Sequence, residues 1–360
     1  PAPDALPLPA PVMLLRVLLQ LTLLLHLIAM NAMLGGLILT LVGRLRGRAP
    51  GDPWTDLADR TAKVTPTLDA ATVTLGVAPL LFLQTLYGQF FFTSSILMGW
   101  GWFSVVVVLI FAYYGTYLQA IRGPKLGGAR TPLLVVTVLG FLWIGFMFSN
   151  NTSLMLNVQA WTQKYFADPR GLHLNLGDPQ LAPRYLHMVF GAVAVAGLLL
   201  AWWGRLRLRG GDQGGRFMAR VGLGAFAWLT LVNIALGLWY YLAQPGPVRK
   251  LFMGGAPLAT ALFGVGFVVS LVMVIAGFLA RRRESGGALL PLLVLTLLQM
   301  ITMIMMRDVV RGAHLGAHFQ PATFAVQPQV FNLVLFVVLL LGGIAVLAWM
   351  LRQLYLAWNR

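Results

Sequence analysis

The sequence predicts an all-α integral membrane protein of about nine transmembrane helices, and three observations carry that reading. Only 10% of the 360 residues are charged while 59% are hydrophobic, with a mean hydropathy of +0.80. A soluble domain is usually about a quarter charged. Apolar stretches of about 20 residues recur along the whole chain, the length that lets a helix cross a bilayer core with its backbone groups bonded internally. The basic residues collect in every second connection, on one side of the spans.

The spans are expected near residues 12–43, 68–95, 99–121, 132–155, 184–206, 217–243, 256–280, 287–313 and 330–356. The first follows "PAPDALPLPAP", which lacks the basic region of a signal peptide, so it is expected to remain a true span. One side of the membrane then receives "GRLRGRAPGDPWTDLADRTAK", "IRGPKLGGARTP", "GRLRLRGGDQGGRFMAR", "ARRRESGGA" and the tail ending at Arg360. Eighteen of the 26 Lys and Arg residues fall there, which places the N-terminus outside and the C-terminus in the cytoplasm. The longer outer loops, 156–183 and 314–329, are rich in polar residues, Gly and Pro. They are either plain connections or the landing place of a periplasmic partner. Residues 1–360 form one polytopic domain, expected in a bacterial cytoplasmic membrane.

A net charge of +16 on a soluble protein would suggest nucleic acid. Here its distribution makes it a topology signal, and the expected surroundings are lipid, with no nucleic-acid partner. The chain has no cysteine, which excludes disulfides, thiolate metal sites and covalent haem attachment through Cys-x-x-Cys-His.

The chemistry sits with the histidines. None of His26, His173, His187, His314 and His318 lies on the basic side. An imidazole in hydrocarbon has to be hydrogen-bonded, paired or ligated. His26, in "RVLLQLTLLLHLIAMN", lies ten residues inward from Arg16, about 15 Å at 1.5 Å per residue. His187 is a few residues inside the fifth span, in "PRYLHMVFGAVAVAGLL". Two histidines on separate helices in the outer leaflet suit axial ligation of haem b, with rim arginines on its propionates. Bonds to backbone carbonyls, Ser or Asn are the other reading. In the eighth span Arg307, Arg311, His314 and His318 fall at i, i+4, i+7 and i+11 and form one stripe, secure for the first three because Gly312 and Gly316 fray the helix. Guanidinium forks there fit a propionate or a semiquinone oxygen; snorkelling to headgroups is the bland alternative. Asp308 ligates iron, relays protons or neutralises Arg311. The run Met300, Met303, Met305 and Met306 offers thioethers, although packing explains most of them.

In these features the chain resembles subunit I of the cytochrome bd quinol oxidases over nearly its whole length. Arg16 and His26 have the spacing of that family's first-helix Arg and its active-site haem ligand. "GVAPLLFLQTLYGQFFFTSSILMG" keeps Gly76, Val77, Ala78, Gly88, Ser95 and Gly99 of the second-helix pattern, with Gln84 in place of Glu. "RYLHMV" puts His187 where the low-spin haem His stands, and "RDVVRGAHLGAHFQP" offers Asp308 and Arg311 in the register of the family's Glu-x-x-Arg, with Pro321 following. The resemblance implies a subunit-I-like bundle holding one or two haem b groups, companion subunits of a membrane redox complex, and a membrane quinone.

The departures redirect function. The third span, "GWFSVVVVLIFAYYGTYLQAI", contains no acid where the family has glutamates for proton delivery. The quinol loop shrinks to "AQPGPVRKLFMGG". Leu262 stands at the register of the low-spin haem Met, leaving Met253, His314 and His318 as candidate sixth ligands. The fourth-helix signature is hinted at by Trp143, Ile144, Asn150 and Asn151. The expected function is therefore a haem b membrane subunit passing electrons between membrane quinol and a periplasmic redox partner, a c-type cytochrome or an iron–sulfur protein. A terminal reductase acting on oxygen or nitric oxide is the second reading, and a cofactor-free membrane scaffold the third.

Overall fold

The computed structural model describes residues 7–284 and 286–358. The start of the Pro-rich N-terminal stretch, residue 285 of the inner "ARRRESGGA" segment, and Arg360 lie outside the described residues. Nine long helices carry the rest: α1 (Val12–Arg46), α2 (Pro53–Leu97), α3 (Gly99–Arg122), α4 (Arg130–Leu156), α5 (Leu181–Arg209), α6 (Gly214–Leu242), α7 (Pro257–Arg283), α8 (Leu289–Leu315) and α9 (Val330–Trp358). By length and hydropathy alone there are eight membrane-crossing stretches among the described residues, one of them the 58 residues Gly99–Leu156. That stretch is two helices. The chain doubles back through Gly123–Ala129, where Gly127 takes φ 51° and ψ −128°, a conformation that favours glycine. α3 and α4 then pack side by side.

α2 is longer than its expected span. Asp52 accepts the Trp54 N–H at 2.7 Å, Pro53 occupies the first helical position, and the helix runs on through Pro66 and Pro79. The segment read as an inner loop is therefore three to four turns of helix. At the other end α2 bends where Tyr87 leaves helical geometry (φ −132°, ψ 29°).

α1–α4 and α5–α8 form two four-helix units. Within each, consecutive helices pack together and the first also meets the fourth. The units match at a constant offset of 161 residues, from His26 to His187. "GRLRGR" at 43–48 returns as "GRLRLR" at 204–209. A Cβ on Gly43 would lie 2.9 Å from the Trp54 carbonyl and 3.0 Å from the Ala58 Cβ. On Gly204 it would lie 2.6 Å from the Gly215 carbonyl and 2.7 Å from the Ala219 N, the same positions one offset later. The units meet through α1 and α5, where a Cβ on Gly35 would stand 2.6 Å from the Cβ of Ala196, its own equivalent. Equivalent residues touching one another mark a two-fold axis. Because both units start on the same side, that axis runs along the membrane normal. α9 stays outside, meeting the bundle where Phe336 sits edge-on to Phe82, ring centres 4.9 Å apart.

The basic connections converge at one end. Arg60 reaches Asp56 (2.6 Å) and Asp212 (2.7 Å), Arg207 also holds Asp212 (2.7 Å), and Arg220 holds Glu284 (2.5 Å). At the opposite end the chain before α9 bonds to the N-terminal segment: Leu8 N–H donates to the Ala325 carbonyl (2.8 Å), and Gln327 and Gln329 donate back to Leu8 and Pro9 (both 2.9 Å). The chain is thus a multi-pass membrane protein with its termini on opposite sides.

Gly35→Leu should push α1 from α5 and cost about 1–3 kcal/mol, as overpacking usually does, read as a lower unfolding midpoint in detergent. Burial pushes the Asp212 carboxyl up, but hydrogen bonds from Arg207 and the Gly214 N–H and the charges of Arg60 and Arg207 outweigh this and hold it below the usual carboxylate range. Its stabilisation is complete above the unfolded-chain value and lost as pH falls through the lower folded value. Asp212→Asn should accordingly lower the thermal midpoint at pH 7, and the gap to the parent should close under acid.

Candidate functional site

His26 and His187 are held by the same device. The Nδ1–H of His26 donates to the Thr72 carbonyl of α2 at 3.1 Å, and that of His187 donates to the Asn233 carbonyl of α6 at 3.1 Å. A carbonyl only accepts, so the hydrogen is assigned to Nδ1 and a neutral ring presents the Nε2 lone pair. One turn after each carbonyl stands a glycine. A Cβ on Gly76 would lie 3.0 Å from the His26 ring, and one on Gly237 would lie 3.2 Å from that of His187. The imidazole seats itself where a side chain would have been. The expectation that these rings bond backbone carbonyls and the expectation that they ligate a metal are thus compatible, because each concerns a different nitrogen.

The two Nε2 atoms face different neighbours. That of His187 lies 3.3 Å from the Met303 sulfur on α8. That of His26 has no hydrogen-bond partner among the described residues, and the nearby charge from outside its own unit is Arg307.

Above the histidines lies a cationic cluster built mainly by the second unit. Arg307, Arg311 and His314 share one face of α8, which ends at Leu315. Arg311, only 7% exposed, donates to Asp308 at 2.5 Å and lies over the Tyr87 ring at 4.7 Å, while its Nε is buried without a partner. Arg184 of α5 donates to Tyr240 (3.1 Å) and Gln180 (3.3 Å), and its Nη1 is likewise buried and unpartnered. Arg307 has the like charges of Arg311 and Arg184 as neighbours. Among the described residues no acid pairs with Arg184 or Arg307. The His314 Nε2 meets the Gln244 side-chain oxygen at 3.2 Å. The Nε of Arg16, on α1, is a further buried, unpartnered donor.

Other expected residues fall elsewhere. His318 is exposed in the turn after α8, off the stripe, and Met253 is 59% exposed in the turn Leu251–Gly255. The His173 ring closes the outer loop on the Asp168 carbonyl at 2.7 Å. Hydrogen bonds from Arg170 pull the Asp168 carboxyl down to about 2. Trp143 bonds Ser104 at 2.9 Å, Asn150 accepts the Asn175 N–H at 2.7 Å and Asn151 bonds Ser95 at 3.0 Å, so these fourth-helix residues tie loops and helix ends together. Sequence reasoning missed Arg184, although it stands one turn before His187, and could not single out Met303 from the three methionines around it.

No protein-family model and no curated protein sequence matches the chain. Among solved structures, a chain of the bd oxidase from Geobacillus thermodenitrificans superposes with a TM-score of 0.74, covering 97% of this chain and all of its own. This chain has the bd oxidase fold. At 14% identity the likeness is one of architecture, and the site rests on its own residues.

Those residues fit haem. Two neutral imidazoles with Nε2 free of helix bonds supply axial nitrogen. The unpartnered guanidinium N–H groups of Arg16, Arg184 and Arg311 supply what two propionates require. No group of three His, Asp or Glu residues suited to a bare metal ion occurs among the described residues.

Gly76→Val should displace the His26 ring and Gly237→Val the His187 ring. Each change should alter the visible spectrum of the purified protein at its own site and leave the other band in place.

Proposed function

We propose that the chain is a haem b subunit of a respiratory membrane complex in the bacterial cytoplasmic membrane, passing electrons between membrane quinol and a periplasmic redox partner. A single contact carries the reading: the Nε2 of His187 facing the Met303 thioether at 3.3 Å, with Nδ1 tied to the Asn233 carbonyl. Imidazole nitrogen and thioether sulfur are the two donor types that an electron-transfer haem would take from this chain, and the two atoms, now in contact, would part to admit it. Met303 takes the place for which the sequence suggested Met253, His314 or His318. A haem bound here supplies a one-electron carrier in the outer half of the bundle. The protein's own part is to fix the ring through Asn233, to keep water away with α6 and α8, and to neutralise the propionates with Arg184, Arg307 and Arg311.

His26 supports a second reading. With its Nε2 free of any partner among the described residues, His26 would be the one donor offered to a haem there, which suits a reductase of oxygen or nitric oxide that must admit a small ligand. The electron-carrier reading stands first, because α3 contains no acid to feed such a reaction.

Purified protein should contain protohaem by pyridine haemochrome analysis. His187→Ala should abolish the low-spin band, Met303→Leu should convert it to high-spin, and His26→Ala should leave most of it. A spectrum lost with His26 and untouched without His187 would refute the assignment, and well-folded protein without protohaem would leave the scaffold reading.

A further inference from the structure

The polar residues of the membrane interior are distributed unequally between the two units. Asp69 of α2 is 0% exposed. It lies level with Thr116, six residues or about 9 Å from the inner end of α3 at Arg122, and about 4.5 Å inward of Thr72, whose carbonyl holds His26. No basic residue pairs with it among the described residues, and its Oδ1 has no partner. Its Oδ2 lies 3.1 Å from Thr116 Oγ1 of α3, which in turn lies 2.8 Å from the Tyr113 carbonyl. The hydroxyl has one hydrogen. When that hydrogen serves the carbonyl, as Ser and Thr in helices habitually arrange, the proton between Asp69 and Thr116 belongs to the carboxyl.

A second group of polar residues stands toward the cytoplasmic end. Gln119, one turn inward of Thr116 on α3, donates to the Arg130 carbonyl at 2.7 Å, and the Arg130 guanidinium holds the half-exposed Asp59 at 2.7 Å. The second unit serves as an internal control. At the equivalents of Asp69, Thr116, Gln119 and Arg130 it has Thr230, Gly277, Ala280 and Pro291. Thr230 satisfies its hydroxyl on its own helix, at the Phe226 carbonyl (2.6 Å). The architecture therefore does not need a carboxyl at this depth. An uncompensated intramembrane acid is costly and is retained for a task.

We propose that Asp69 is a proton-exchanging carboxyl serving the His26 half of the bundle from the cytoplasmic side. Its O–H bond would break, releasing a proton to the Asp59–Arg130 face, when a haem held by His26 gave up one electron, and would reform with a proton from that face when one electron was returned. Proton and electron thus move together, and the interior stays neutral. The redox link rests on the haem reading above; the proton site does not. The other ionisable group in reach is Tyr113 of α3, stacked on Tyr117 with the phenol oxygens 3.4 Å apart. No charged group on α1 or α4 acts on Asp69 among the described residues.

The test uses full-length protein and two variants, Asp69→Asn and Asp69→Thr, the latter installing the second unit's residue. Infrared spectra should show a protonated-carboxyl carbonyl band that shifts in D2O and is missing from both variants. Parent and variants with identical spectra in that region would overturn the proposal. In redox titrations the reduction equilibrium of the His26-dependent optical band should change about tenfold per pH unit in the parent and be nearly flat in the variants, with the His187 band unaffected. Unchanged pH dependence in both variants would also overturn it. A carboxyl band without any His26-dependent optical band would remove the haem reading and leave the proton site standing.

Discussion

Everything at the centre of this bundle depends on an imidazole that reaches across a helix pair and donates to a backbone carbonyl. The bond fixes three things together. It sets the tautomer, so that Nε2 is the nitrogen left over. It sets the distance between the paired helices, because a ring must fit where glycine removes a side chain. It also ties the depth of each histidine to a particular turn of its neighbour, Thr72–Gly76 for His26 and Asn233–Gly237 for His187. The device occurs twice, at equivalent positions of two units, so its geometry precedes the differences between them.

Those differences divide the labour. The second unit adds a thioether beside its imidazole and a set of guanidinium groups above it, contributed by α5 and α8. The first unit leaves its Nε2 free and instead runs carboxyl, hydroxyl and amide groups inward along α2 and α3. One half sets a sulfur against its imidazole, and the other sets a buried carboxyl against a hydroxyl on the next helix. Arg307, on α8 of the second unit, acts on His26 of the first, so the two halves meet through that charge.

The helices, their number and their orientation could be read from hydropathy and charge, since a bilayer leaves few alternatives. His26, His187, Arg307 and Arg311 could be singled out as candidates because a polar group in hydrocarbon announces itself. Other features were hidden for physical reasons. Asp69 looks like an ordinary helix-end charge if the second span begins at residue 68. Its burial comes from packing against Thr116 of α3, a tertiary contact that hydropathy cannot report. Met303 shares its composition and helix face with neighbours, so only the position of α5 distinguishes it. The duplication shows plainly in "GRLRGR" and "GRLRLR", yet elsewhere the halves have diverged too far for pattern alone to align them.

The bond between Leu8 and the segment 325–329 has a consequence for biogenesis. Leu8 precedes the first span and its partners precede the last, so this closure joins points separated by almost the entire chain. Loop closure over that distance cannot occur until eight spans have been inserted. The chain just before that segment carries Phe319 and Phe324, and Phe319 packs on Tyr87 and Phe90 beside Arg311. During synthesis this closure of the outer end therefore waits for the segment that leads into the ninth helix.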